Sequence, residues 1–178
     1  MGRSRYKFHE EHYPYFVTST VLEELPLFTK PALAQIMLDQ FEFLQRERKV
    51  TLYAFVLISN HFHLVVEGED LSNKLRLAKS YTARQILEVM ERHGHYRWLT
   101  KLKKNKRSYK IGRTYQVWQE GLHPKQLKSV KMINQKIGYI HNNPVKSGFV
   151  DKLTDWRYSS ARNYNGEDGL IQVSLFGG

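Results

Sequence analysis

The chain has 178 residues, 41% of them apolar and 13% aromatic, enough to bury a core as one domain or one domain with appendages, and no cysteine, which excludes disulfides and thiolate metal sites. No stretch reaches the roughly 20 apolar residues of a membrane span and the N-terminus lacks an apolar signal core, so the sequence predicts a cytoplasmic protein with no membrane role. The net charge of +11 is lopsided, with 7 Lys/Arg against 10 Asp/Glu in residues 1–70 and 21 against 7 in residues 71–178, which points to a polyanion and first of all to nucleic acid.

Arg3-Ser4-Arg5-Tyr6-Lys7 forms a short basic arm. Tyr15 to Val21 is rich in β-formers and reads as the first strand. Leu25 to Phe28 is a loop, and Thr29 reads as the cap of a helix whose first turn holds Pro31. That helix runs to about Lys49, with Leu33, Ile36, Met37, Phe41 and Leu44 at helical spacing. A strand over about Val50 to Leu57 follows, then a tight turn at Ser59-Asn60 and a second strand from His61, closed by Glu67 to Asp70. Alternate residues of a strand share a face, so His61 and His63 project together while Phe62 enters the core on the other side. Neutral imidazoles held at fixed spacing suit a divalent metal, although His-x-His alone is weak evidence.

Leu71 to Met90 reads as a second helix. Leu71, Leu75, Ala78, Ile86 and Val89 form its apolar side, and Lys74, Arg76, Lys79 and Arg84 lie mostly off it. Tyr81 reads as a half-buried packing residue. From Arg97 to Arg113 the eight cations Arg97, Lys101, Lys103, Lys104, Lys106, Arg107, Lys110 and Arg113 occur with no acid, interleaved with Trp98 and Tyr109. This composition predicts a flexible strand-gripping loop, with cations on phosphates and aromatics stacked on unpaired bases, supplemented by Lys79 and Arg84. Tyr115 to Trp118 reads as a short strand and Gly121 to Pro124 as a turn. Lys128 to Asn143 reads as the last helix, stopped by Pro144, with Gly148 soon after. At about 100° per residue Val130, Ile133, Ile137 and Ile140 cluster on one side and Tyr139 falls nearly opposite, on the face of Asn143 one turn later. An ordinary surface tyrosine and a helix C-cap are the alternative readings of these two. The tail Asp155-Trp156-Arg157-Tyr158-Ser159-Ser160-Ala161-Arg162 is basic and aromatic.

The ordered set His61-Phe62-His63, Val117-Trp118-Gln119, Tyr139-Ile140-His141-Asn142-Asn143-Pro144-Val145 and Asp155 to Ser159 resembles the REP-associated tyrosine transposases. These are a domesticated branch of the single-tyrosine HUH transposases of bacterial insertion sequences, HUH denoting His, bulky apolar, His. The resemblance covers about Tyr6 to Tyr164. It implies an α+β, ferredoxin-like antiparallel sheet with helices packed against it. It also implies metal-dependent cutting and rejoining of single-stranded DNA near palindromic hairpins through a phosphotyrosine intermediate. By the same resemblance Tyr139 is the nucleophile, His61 and His63 bind Mg²⁺ or Mn²⁺, and Asn143 takes the place of the third ligand. Mobile-element relatives often have Gln there, and His141 and Asn142 stand as substitutes.

On this reading residues 1–150 form the transposase domain and residues 151–178 a tail packing on it, in a monomer or homodimer. The alternatives are a noncatalytic hairpin or single-strand binding module derived from a transposase, and a metal-dependent hydrolase in which Tyr139 is incidental. No RNP-like aromatic block and no phosphate-binding Gly-rich loop is present.

Overall fold

The computed structural model describes Phe8, Glu10 and residues 12–177, so the basic arm expected at Arg3 to Lys7 lies outside the described residues. Strand β1 (Tyr15–Thr20) leads through two short 3₁₀ turns to helix α1 (Pro31–Arg48), followed by the hairpin of β2 (Thr51–Leu57) and β3 (His61–Glu67). Helices α2 (Leu71–Arg92) and α3 (Tyr96–Lys104), strand β4 (Lys125–Gln126), helix α4 (Val130–Lys146) and the short α5 (Ala161–Tyr164) complete the chain. The strands pair antiparallel in the order β2-β3-β1-β4. This is the strand order of a ferredoxin-like sheet, the architecture that the resemblance implies, with the two inner strands supplied by β1 and β3.

Both faces of the sheet are covered, which explains why β2 and β3 read as nearly unbroken apolar runs. On one face Val17, Phe55, Phe62, Leu64 and Val66 meet the apolar sides of α1 and α2. On the other, Phe16, Ala54, Val56 and Val65 meet Ile133, Ile137 and Ile140 of α4. A register shift between Leu52 and Ala54 places Tyr53 in a bulge. The extra residue resets the alternation, so Leu52 and Phe55 both reach the α1/α2 core. Phe62 lies in that core, edge-on to Phe41 and Trp118 at 5.6 Å from each. Phe62→Ala should therefore cost about 3–5 kcal/mol. Urea unfolding of the variant checks this, and an unchanged midpoint would contradict the β3 register.

Several local expectations are corrected. Thr29 does not cap α1: its hydroxyl donates to the Pro26 carbonyl in the preceding turn, and Lys30 holds the cap position without a side-chain bond. Tyr115 to Trp118 is not a strand of its own; Trp118 makes one bridge to Val21, and the fourth strand is the two-residue β4 beyond the turn. Tyr81 is exposed rather than half-buried. Pro144 does not stop α4. The helix loses the amide that would bond the Ile140 carbonyl, yet the Ser147 amide still reaches Asn143. It ends at Gly148, whose φ of +73° is the left-handed conformation that glycine adopts freely. Asn143 is thus a buried residue inside the helix and not its cap.

The largest departure is at the basic stretch. Residues 96–104 form α3, because Leu99 and Leu102 bury against the α1/α2 core and leave the cations outside. Trp98 packs partly into the same core beside His95, which removes it from base stacking, while Tyr109 stays exposed. Beyond α4 the chain follows β2: Leu57 donates to Tyr158, Ser160 bonds both backbone groups of Phe55, the Trp156 indole donates to Leu57, and Ser174 donates to Leu52.

Candidate active site

His61 and His63 emerge on the α4 face at one end of the sheet, with ring centroids 4.8 Å apart. Each is oriented through Nδ1. The Asn60 amide oxygen lies 2.7 Å from Nδ1 of His61, and the Thr18 hydroxyl lies 2.7 Å from Nδ1 of His63 across the β1–β3 pair. That arrangement leaves Nε2 of each ring as the nitrogen for a ligand, the pattern in which outer partners fix metal-binding histidines. Burial holds both rings neutral at pH 7. It lowers His61 against the opposing pull of Glu24, and with help from His61 and Lys136 it pushes His63 down to about 3. Neutral imidazole is the ligating form.

Tyr139 reaches this pair from α4. Its ring meets His63 at 5.5 Å and Phe16 at 5.8 Å, both edge-on, and it is 38% exposed. The tyrosine sits on the flank of the apolar stripe and not opposite it, with one edge packed and one edge open. Phe16 stacks on His63 at 5.2 Å and closes the group from β1. Asn143 shares the Tyr139 side of α4 one turn on and is buried. The two substitutes point elsewhere. His141 is buried on the other flank, 2.9 Å from the Ser160 hydroxyl and against Tyr164, and Asn142 donates to the Gly138 carbonyl within its own helix. Among the described residues no third His and no Asp or Glu joins the two histidines. Two neutral imidazoles and a carboxamide are a donor set that fits a divalent ion whose remaining positions are filled by water or phosphate oxygens.

The sequence reading missed Phe16, Thr18, Asn60 and Lys136. Phe16 and Thr18 become neighbours of His63 only through strand register, which leaves no local trace. Lys136 could have been found, since it precedes Tyr139 by three residues and so lies on the same side of the helix.

The expected nucleic-acid cations divide into groups. Arg97, Lys101, Lys103 and Lys104 are exposed on α3, and Arg84, Arg107 and Arg113 are exposed nearby in sequence. Lys106 donates to the Lys110 carbonyl, Lys110 pairs with Glu120 at 3.3 Å, and Lys79 donates to the carbonyls of Gln119 and Gly121. Lys79 thus braces the loop before β4 instead of projecting into solvent. Lys79, Lys110, Arg113 and Arg76 border a groove of about 790 Å³ with Tyr115 and Trp118. Since α3 packs into the α1/α2 core, the basic stretch lies on the side of the sheet away from His61, His63 and Tyr139.

Burial pushes His141 down to about 4, against an ordinary value of 6.5. Above pH 6.5 the ring is neutral folded or unfolded and contributes nothing to pH dependence. Between 6.5 and 4 the unfolded chain takes up a proton that the folded one refuses, so stability falls as pH drops. At pH 5 the loss from this residue should be about 2 kcal/mol. Urea midpoints at pH 7 and pH 5 measure it, and His141→Gln should narrow the difference between them.

Three comparisons bear on this geometry. No family model matches the chain. A curated Haemophilus influenzae protein that carries the name REP-associated tyrosine transposase is 24% identical over 107 residues, which are 60% of this chain and 56% of that protein. The chain thus matches little more than half of that relative's length. A solved structure of a REP-associated tyrosine transposase bound to a REP hairpin superposes with a TM-score of 0.66 at 21% identity, covering 99% of this chain and 96% of that one. The fold is that of a REP-associated tyrosine transposase. The resemblance read from the motifs therefore holds in sequence and in fold. Within this fold the two histidines of β3 meet Tyr139 of α4, with Asn143 one turn further along the same helix, whereas the basic stretch is set apart. No helix among the described residues is long and apolar enough to cross a membrane.

Proposed function

We propose that the protein is a single-stranded DNA transposase or endonuclease that cleaves and rejoins DNA near palindromic hairpins, with Tyr139 as the nucleophile. The observation that carries this reading is the approach of the Tyr139 ring to 5.5 Å from His63, on a sheet end where both histidines are neutral and braced at Nδ1. A divalent ion, Mg²⁺ or Mn²⁺, would be held by His61 and His63 with Asn143 as third protein ligand, and would supply electrophilic activation of the scissile phosphate.

The phenol of Tyr139 loses its proton to solvent as its oxygen bonds to phosphorus, and the bond from phosphorus to the 3′ oxygen breaks. The leaving oxygen takes up a proton, giving a 5′-phosphotyrosine and a free 3′-hydroxyl. One phosphate ester replaces another, so the strand can be resealed by the reverse attack without ATP. Phe16 and the body of α4 hold the phenol against the histidines, so orientation is set before DNA arrives. The cations of α3 and the groove beside Lys110 and Arg113 would hold the hairpin on the other side of the sheet, from which a single-stranded flank crosses to Tyr139. Binding and chemistry are then separate surfaces joined by the substrate. A labelled hairpin oligonucleotide with single-stranded flanks, incubated with the protein and Mn²⁺ and run on a denaturing gel, tests this. A covalent protein–DNA band is expected, and a module that merely binds hairpins would form none.

A further inference from the structure

Lys136 is half-buried on α4, with its ammonium 4.4 Å from the centre of the Phe16 ring and 5.0 Å from that of Tyr139. Lys125 on β4 is the register partner of Phe16 and is exposed. Its charge lowers the proton affinity of Lys136 beyond what burial does. Among the described residues the ion pairs are Arg46–Glu47, Lys110–Glu120 and Lys128–Glu10, so neither Lys136 nor Lys125 has a carboxylate partner. Two neighbouring cations, one of them partly desolvated, repel each other unless an anion lies between them. The two aromatic faces offset only part of that cost.

We infer that Lys136, flanked by Lys125, is the seat for a DNA phosphate beside Tyr139. The inference rests on the function proposed above and adds a substrate-binding group to it. An ammonium between the Phe16 and Tyr139 rings is placed to meet the phosphate that the phenol attacks. Lys125, on the edge strand immediately after Pro124 of the groove, is placed to meet a neighbouring phosphate. The edge at β4 thereby becomes the crossing from the hairpin side of the sheet to the tyrosine side.

The test uses the full chain and a fluorescent DNA hairpin carrying short thymidine flanks, with binding followed against salt concentration. Lys136→Met keeps the aliphatic stem over Phe16 and removes the charge. It should weaken binding roughly tenfold and reduce the slope of log K against log salt by about 0.7, the contribution of one single-strand phosphate. Lys136→Arg should restore both. Affinity and slope equal to the native protein in Lys136→Met, with or without a lower melting temperature, would overturn the inference and leave Lys136 as a packing residue. No binding of this probe by the native chain would overturn it too. The covalent band judges the proposed function separately. A native band with an unchanged slope in Lys136→Met removes only the lysine seat, and a reduced slope with no native band removes only the cleavage.

Discussion

Replacing Tyr139 by Phe should abolish the covalent protein–DNA band and strand cleavage together, while folding and DNA binding persist. The substitution removes one oxygen and keeps the ring. The edge-on contacts to Phe16 and His63 and the cation of Lys136 over the ring face are therefore retained. The open edge of Tyr139 implies a stability change within about 0.5 kcal/mol. The chemistry, by contrast, has no other oxygen with which to form the ester. A tyrosine hydroxyl is a weak nucleophile at neutral pH, so the reaction depends on activation at this site and no distant tyrosine substitutes for it. Tyr81→Phe, Tyr115→Phe and Tyr158→Phe should leave the band in place. Mass spectrometry of the trapped complex would locate the nucleotide, and an adduct on any residue other than Tyr139 would refute the assignment.

The second large effect is expected at the histidine pair. His61→Ala and His63→Ala should each eliminate Mg²⁺- or Mn²⁺-dependent cleavage, because either change would leave the proposed metal site one imidazole and one carboxamide. The two differ in their cost to the fold. His61 and its bonded neighbour Asn60 are both partly exposed, so its loss should cost little. His63 is 6% exposed, stacked on Phe16 and bonded to Thr18, so truncation opens a gap and strands a hydroxyl. A destabilisation of about 1 kcal/mol follows from the unpaired group, since Thr18 is only partly buried. Both variants are to be assayed below their melting transitions, with Mn²⁺ binding followed by calorimetry beside cleavage. Native cleavage by the double variant would remove the metal assignment.

The chain-order reading located β1, α1, β2, β3 and α2 to within a residue or two, because each carries a strong local pattern: β-formers in a run, apolar residues at helical spacing, or a turn dipeptide between two apolar runs. Phe62 and its flanking histidines were legible for the same reason, since strand alternation is a purely local rule. The errors arose where tertiary contacts outweigh local chemistry. Two leucines among eight cations do not look like a helix until the α1/α2 core receives them, as it does Leu99 and Leu102. Pro144 is a strong stop signal on its own, but burial of Asn143 and Pro144 keeps the last turn of α4 in place.

The sequence by itself determined which residue types the site can use, the face on which His61 and His63 stand, and the shared side of Tyr139 and Asn143, since these follow from periodicity within one strand and one helix. Only the tertiary structure decided that Tyr139 meets His63 and not His141, that Thr18 and Phe16 complete the histidine side, and that Lys136 lies over the tyrosine. It also decided that most of the cations expected to grip DNA lie across the sheet from the tyrosine. Those relations depend on strand register and on which face of the sheet a helix covers, and both are fixed by contacts between residues far apart in the chain.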